Sequence, residues 1–403
     1  MSDVTGPDDD PDVPFALGPR VTEPASAPDP ADAITELAYR IARESAALGP
    51  AGWRELTAVF AVTVAAEVTH LLFEHERGTV RVAPTEDILA AVREHRKLSA
   101  GYGDGPWWRL VVSMSSAGRL DVDHDYGDEP FPADQLFEPQ VYLADLAAHP
   151  RDRLPVWLAA YLHHRDRQRR APGAAARLAR ADAAAGVRAT MSEFDFPPYP
   201  LLRARWAVIA AAFAAAGSAR GPRMLPALGW FEGGGSRSGS TVFEVPGGRA
   251  VLSGGVWNAA ALEAGYNEGA ELPALYAGAP DWVADPVLNT RAGQGLLSFC
   301  YWWDDGTWYR GESPAADHLA EAVPGIWTAE TATRVVAGLL GDEASERQRG
   351  AARALVEAAE RGIATRAEVV EVFGADDTFD VDAALYQLTL AGVTADAAER
   401  AAR

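Results

Sequence analysis

The chain has 403 residues, of which 57 are acidic and 36 are basic, so its formal net charge is −21. This charge repels phosphate backbones and argues against direct binding of nucleic acid, whereas it would attract a protein with a basic face. Hydrophobic residues make up 48% and charged residues 23%, the balance of a globular protein long enough for two or three domains. The simpler interpretation, that the acidity only keeps the protein soluble, stays open.

Cysteine content and hydropathy bear on the compartment. The single cysteine, Cys300, excludes an intramolecular disulfide, and its aromatic neighbours "LLSFCYWW" indicate a packed hydrophobe. The chain begins with acids and prolines, without the basic start and apolar segment of an export signal. The longest apolar runs are shorter than the ~18 residues that cross a bilayer. We therefore expect a cytoplasmic protein with no membrane span.

The first elements follow a change in composition. Residues 1–31 are rich in Pro, Asp and small residues, which predicts a disordered acidic tail. Residues 32–50 carry apolar side chains at helical spacing and end in Gly-Pro, which indicates an amphipathic helix. Residues 53–84 are rich in Val, Thr and aromatic residues, which predicts two or three antiparallel strands. A single buried helix over residues 56–73 is the competing interpretation.

A second helix and a hairpin complete this pattern. Thr85 is placed to cap a helix that runs to about residue 100. Residues 107–131, "WWRLVVSMSSAGRLDVDHDYGDEPF", contain two alternating runs joined by "SSAG", which predicts a β-hairpin. The side chains of a strand alternate between its two faces. In the second arm the apolar positions then share one face, and Asp121, Asp123 and Asp125 line the other, which we expect to face solvent.

The rest of the chain has a similar order of predicted elements. Two short helical pieces around Pro155 complete a first domain over residues 32–170, and a helical linker follows over 171–197. Residues 198–327 read as a helix followed by strands with glycine turns, and residues 328–403 as helices. We therefore predict an α+β fold of two related units, each an antiparallel sheet flanked by helices, followed by a helical C-terminal segment. The similar order raises the hypothesis that the second unit is a degenerate repeat of the first.

Motifs for metal binding and catalysis do not fit. A calcium loop counted from Asp121 would place Tyr126 where glycine is needed and Pro132 where a bidentate acid is needed. No His-Glu-x-x-His or Gly-x-Ser-x-Gly pattern occurs, and the glycine-rich segment 231–240 lacks the Gly-Lys-Ser/Thr ending of a phosphate loop. The sequence therefore predicts no enzyme, no metal and no cofactor.

Tryptophan pairs suggest a binding surface instead. If Trp107 and Trp108 lie in a strand, one of them faces the core and the other faces outward. An exposed tryptophan beside carboxylates is typical of protein-binding surfaces; the alternative is that other elements cover these rings. The predicted partner-binding residues share this acidic hairpin, and they are Trp107, Asp121, Asp123, Asp125, Asp128 and Glu129.

Residues 33–130 resemble the YezG-type immunity family of bacterial polymorphic toxin systems. The resemblance lies in an opening helix, a tryptophan before two strands, a second helix and a "W..L.....GRLDVDHDY.D" hairpin. The matching positions are Trp108, Leu110, Gly118, Asp123, Asp125, Tyr126 and Asp128. The resemblance implies an α+β fold and a non-catalytic protein that binds and neutralises a cognate toxin, often a nuclease. The alternative is a secretion-type chaperone or peptide-binding adaptor, which would hold an extended segment.

Overall fold

The computed structural model describes residues 30–101, 105–233, 237–341, 345–374 and 378–395, so the predicted tail lies outside the described residues except for its last two positions. Two antiparallel sheets, of five and seven strands, and eleven helices within these ranges confirm the α+β class. The chain divides into two units. Unit 1 ends at Tyr126 and also includes Ala148–Pro150, and unit 2 contains the remainder. The division thus falls ahead of the predicted domain end at residue 170.

Unit 1 contains two helices and five strands. In chain order they are α1 (Pro30–Ala47), β1 (Glu55–Val62), β2 (Glu67–His75), β3 (Gly78–Val82), α2 (Glu86–Ser99), β4 (Arg109–Ser115) and β5 (Leu120–Asp125). All strands are antiparallel to their neighbours, in the order β3-β2-β1-β4-β5. The strands confirm the β interpretation of residues 53–84 over the buried helix.

The core of unit 1 lies on one face of this sheet. Phe60 and Phe73 are fully buried there together with Ile41 of α1 and Val92 of α2. Burial of each phenylalanine contributes about 2 kcal/mol. The predicted cap of α2 is also present, since the Thr85 hydroxyl accepts the backbone N–H of Ile88 at 3.4 Å.

The chain after Tyr126 contains nine helices, seven strands and three 3-10 turns in its described part. The helices are α3 (Pro139–Ala148), α4 (Val156–His163), α5 (Pro172–Ala185), α6 (Tyr199–Ala215), α7 (Ala260–Asn267), α8 (Ala329–Leu339), α9 (Glu346–Glu360), α10 (Arg366–Phe373) and α11 (Val381–Leu390). The strands are β6 (Thr190–Met191), β7 (Arg223–Leu225), β8 (Leu228–Glu232), β9 (Gly239–Val245), β10 (Arg249–Gly255), β11 (Phe299–Asp304) and β12 (Thr307–Arg310). The 3-10 turns are Asp281–Ala284, Thr290–Gln294 and Ala316–Leu319.

The sheet of unit 2 is covered on both faces. Helix α6 lies on one face, and its residues 206–212 are all fully buried. The opposite face carries Val251, Cys300 and Trp302, which pack with Ala175 of α5. Cys300 is a packed hydrophobe as predicted, and burial raises the pKa of its thiol. The predicted helical linker over residues 171–197 is helical only at 172–185, and strand β6 follows at 190–191, where it pairs with β12. Helix α5 also packs on the sheet rather than forming a free linker, because Ala175 belongs to the core.

The two sheets differ in strand order. Strands β7 to β12 follow one another across the second sheet, with β6 added beside β12. In the first sheet β1 lies between β2 and β4, so β3 and β4, which are consecutive strands joined through α2, are not adjacent in the sheet. The similar order of elements along the sequence therefore does not correspond to one shared topology. Within the described residues, no helix is both long and apolar enough to span a bilayer.

Candidate protein-binding surface

Strand β5 carries three of the predicted carboxylates. The side chains of Leu120 and Val122 pack against the core of unit 1, whereas Asp121 and Asp123 are exposed on the opposite face. This is the predicted alternation. Asp125 occupies the same face but accepts the Arg109 Nε–H at 2.8 Å across the β4–β5 ladder. Both side chains of this pair are at most 15% exposed. Asp125 is therefore part of the fold, while Asp121 and Asp123 are available to a partner.

The structure contradicts the predicted role of Trp107. Trp107 and Trp108 are 0% and 1% exposed, so neither ring lies on the surface. The prediction was wrong because both residues precede β4, which begins at Arg109, and strand alternation does not apply to them. The Trp107 ring belongs to the core of unit 1, and its indole N–H donates to Nδ1 of His95 at 3.1 Å.

The last two predicted partner-binding residues lie after Tyr126, where unit 1 ends. Asp128 and Glu129 are exposed, but both belong to unit 2. Glu129 forms an ion pair with Arg237 of the same unit. The acidic surface of unit 1 is therefore defined by Asp121 and Asp123 of β5.

A groove lies between β5 and helix α1. Its volume is about 250 Å³. Its lining residues are Ile34, Thr35, Ala38, Tyr39, Leu120, Asp121, Val122 and His124. Tyr39 is 56% exposed on the α1 side, and a second recess continues from it along α1 past Asp32 and Glu36. The groove is thus apolar at its base and acidic along its margins.

The outer edge of β5 has backbone groups directed away from the sheet. Ser115 N–H donates to the carbonyl of Arg119 at 2.9 Å, so this pair of residues is hydrogen-bonded. Hydrogen-bonded and non-hydrogen-bonded pairs alternate along an antiparallel ladder. The N–H and C=O groups of Leu120, Val122 and His124 therefore point away from β4. In the described part of the chain, β5 is the last strand on this side of the sheet.

A buried histidine pair connects the groove to the core. His95 is fully buried, and its Nε2 lies 3.3 Å from Nε2 of His124, a groove-lining residue. An indole N–H can only donate, so Nδ1 of His95 is unprotonated and neutral His95 donates from Nε2. His124 then accepts at Nε2 and carries its own proton on Nδ1. Hydrogen bonds therefore run from Trp107 through His95 to His124.

Burial of His95 and partial burial of His124 lower the pKa of both imidazoles, which favours their neutral forms. Desolvation, together with the smaller effect of the neighbouring His124, lowers the pKa of His95 to about 4. Desolvation also lowers the pKa of His124, although the Asp123 carboxylate opposes this shift. Sequence reasoning treated His124 as a half-buried strand residue and missed His95. The signal for His95 was its place on the buried stripe of α2, one turn after Val92.

Metal and nucleophile chemistry find little support in the geometry. No three His, Cys, Asp or Glu side chains converge on a metal-sized site anywhere in the described ranges. The Cys300 thiol is fully buried with a raised pKa, the opposite of a reactive thiolate.

Comparisons with known proteins add no relationship. No family model matches the chain, and no curated protein matches its sequence. The resemblance to the YezG-type immunity family stays a prediction.

Proposed function

We propose that this protein is a non-catalytic protein-binding protein that neutralises a basic toxin domain through the acidic surface of unit 1. The observation that carries the proposal is the pair of exposed carboxylates, Asp121 and Asp123, on the outer face of β5. The net charge of −21 supports it, because such a field speeds the approach of a basic partner. The resemblance of residues 33–130 to YezG-type immunity proteins supports the same class of partner, and a cytoplasmic location suits it.

Exposed carboxylates suit binding better than catalysis. General acids and bases are held in sites where burial or close charges adjust the pKa, and a reacting group must lie within hydrogen-bond reach. Asp121 and Asp123 instead lie open to solvent on a strand. Exposed charges contribute about 0.2–1 kcal/mol per contact and mainly increase the association rate. Two such residues therefore account for roughly a tenfold effect on affinity at low salt.

A second candidate is a peptide-binding adaptor. The groove between α1 and β5 favours it, because the groove lies beside a free strand edge where an extended segment could lie. The two functions differ in the partner: an immunity protein binds a folded toxin domain, whereas an adaptor binds an unfolded or extended chain.

The test begins with tagged full-length protein, used at low salt to capture its partner from the native lysate. The captured protein is identified by mass spectrometry, and its domain is produced alone. Affinity is then measured for the wild type, for Asp121→Asn with Asp123→Asn, and for Glu357→Gln with Glu371→Gln. The second pair changes the net charge equally at exposed helical positions of unit 2.

We expect the β5 variant to bind about tenfold more weakly at low salt, with the difference vanishing at high salt. The control variant should bind like the wild type. Co-expression of the wild type should relieve the toxicity of the captured domain. Equal affinity of all three proteins would refute the acidic surface, and capture of extended segments alone would favour the adaptor.

A further inference from the structure

We infer that the free edge of β5 binds an extended segment of the partner as a sixth strand of the unit 1 sheet, and that this segment alternates basic and apolar residues. The inference rests on the proposed function and specifies how the partner is held. Its three supports are the edge of β5, the groove beside it and the charges that border both.

The outward backbone groups of β5 can form hydrogen bonds with an added strand. Leu120, Val122 and His124 direct their N–H and C=O groups away from β4, in the plane of the sheet. Strand addition satisfies such groups with main-chain hydrogen bonds from an extended peptide. The strand is six residues long, so three of its residues can pair in this way.

The groove explains which side chains enter. Pockets that enclose a whole small molecule have volumes of about 300–1,000 Å³. At about 250 Å³ the groove is smaller and open along its strand, so it suits one or two side chains of a longer chain. Val122 and Tyr39 lie on its opposite walls, which favours apolar side chains from the added strand.

The Asp121 and Asp123 carboxylates determine which side chains are favoured at the positions of the added strand that lie outside the groove. Side chains of an added strand that do not enter the groove lie on the other face of the sheet, beside Asp121 and Asp123. Cross-strand neighbours are about 4.5–5.5 Å apart, close enough for ion pairs. A basic segment is therefore favoured at the positions outside the groove.

The probe is a labelled synthetic peptide of about ten residues that alternates Arg and Val. Two further peptides carry N-methyl groups, one on the Val nitrogens and one on the Arg nitrogens, and a fourth replaces Arg with Glu. N-methylation removes donors along one edge without changing charge. In antiparallel addition the Val residues pair with Leu120, Val122 and His124, whereas in parallel addition the Arg nitrogens face β5. Binding to full-length protein is measured by fluorescence anisotropy.

We expect one N-methylated peptide to bind at least tenfold more weakly and the other to bind within about threefold of the parent, since several ladder hydrogen bonds are lost on one edge only. The Glu peptide should not bind. Equal effects of the two methylations, whether both weaken binding or neither does, would overturn strand addition. So would the absence of saturable binding of the parent peptide at about 1 mM.

The same peptides separate this inference from the proposed function. If Asp121→Asn with Asp123→Asn weakens binding but methylation shows no preferred edge, the acidic surface stands and strand addition fails. If methylation shows a preferred edge and the substitutions have no effect, strand addition stands and the acidic surface fails. In both cases circular dichroism of the variant checks that unit 1 is folded.

Discussion

The two sheets of the protein differ in the length and charge of their edge strands. In unit 2 the edge strands β6 and β7 have two and three residues, which leaves little backbone open to pairing. In unit 1 the edge strands β3 and β5 have five and six residues, and exposed carboxylates stand on the outer face of β5. Charged side chains on an edge strand discourage unspecific pairing. The comparison teaches that the short edges of unit 2 leave little backbone for strand addition, whereas the longer edge of β5 in unit 1 is the one that we propose for a partner of opposite charge.

The two units also differ in where the hydrogen bonds of their polar side chains lead. In unit 2 the Gln168 amide pairs with both backbone groups of Leu297, at 2.7 and 3.0 Å, and Asn267 pairs likewise with Leu154. These bonds close within the fold. In unit 1 the Arg96 and Ser99 side chains also bond within the fold, but a second set of hydrogen bonds runs from Trp107 through His95 to His124 at the groove. The Gln168 and Asn267 amides of unit 2 thus hold loop backbone in place, while the hydrogen bonds from Trp107 to His124 in unit 1 connect the core to the candidate site.

The largest expected effect is on the closed network of unit 2. Arg205 donates to Glu360 at 2.6 Å and to the carbonyls of Ile326 and Trp327, and its side chain is 10% exposed. Arg205→Ala should lower the free energy of unfolding by about 3–5 kcal/mol, because it leaves a part-buried carboxylate and two carbonyls without their donor. Urea unfolding measures the change. Arg334→Ala removes an exposed helical ion pair with Glu330 and should change stability by less than about 0.5 kcal/mol. Similar losses in both variants would contradict the structural role of Arg205.

The second effect is a loss of unit 1 stability in acid. The folded-state pKa of His95, about 4, lies below its ordinary value of 6.5, so unfolding takes up a proton between these values. Stability is fully present above pH 6.5 and falls as the pH falls from 6.5 toward 4. The loss attributable to His95 is about 3 kcal/mol. Hydrogen exchange of α2 peptides at a series of pH values measures it.

His95→Phe tests the source of this pH dependence. The variant loses the hydrogen bonds to Trp107 and His124, so it should be less stable at neutral pH, but its stability should change less between pH 6.5 and 4. Carboxylates titrate in both proteins, so the difference between the two curves isolates the histidine. His318→Gln is the control, because the His318 side chain is 72% exposed. Parallel curves for the wild type and His95→Phe would show that His95 does not carry the effect.

Local patterns predicted the elements of unit 1 because neighbouring residues determine them. Thr85 and the apolar stripe after it identified α2, and the alternation after Arg119 identified the two faces of β5. The burial of Trp107 could not be predicted in this way, because it depends on where the strand begins. Helix α5 was predicted to be a linker because its alanine-rich sequence has no large apolar stripe. Its contribution to the core comes from one alanine, Ala175, which composition does not distinguish from the others.

The groove could not be predicted from the spacing of residues along the sequence. It forms where α1 packs beside β5, and these elements are far apart in the sequence. The edge position of β5 among the described strands likewise follows from the strand order, which no single segment determines. The part of the candidate site that the sequence did predict, Asp121 and Asp123, is the part that depends only on alternation within one strand.

A smaller effect should separate the three aspartates of β5. Asp125→Asn removes the charge that accepts two hydrogen bonds from Arg109, at a pair that is largely buried. We expect a loss of about 2 kcal/mol in the free energy of unfolding, the usual contribution of a hydrogen-bonded charge. Thermal unfolding of the purified variant measures this. Asp125→Asn should also weaken partner binding only as far as it loosens β5. Unchanged stability would show that Asp125 belongs to the exposed acidic set after all.

The smallest change in stability should come from Asp121→Asn, the exposed neighbour on the same face. Surface substitutions away from buried partners alter stability by about 0.5 kcal/mol or less. Val111 and Ser113 are the residues opposite Asp123 and Asp121 on β4, so both carboxylates lack the basic cross-strand neighbour that Asp125 has in Arg109. The cross-strand neighbour, rather than the aspartate itself, therefore decides which carboxylate stabilises the fold and which is left for a partner. Ser113→Arg would place an arginine opposite Asp121, so that Asp121 pairs within the sheet as Asp125 does. We expect the free energy of unfolding to be unchanged or slightly higher, and binding of the Arg/Val peptide to weaken about as much as in Asp121→Asn. Thermal unfolding and anisotropy on the same samples test both halves, and unaltered peptide binding by Ser113→Arg would show that Asp121 takes no part in recognition.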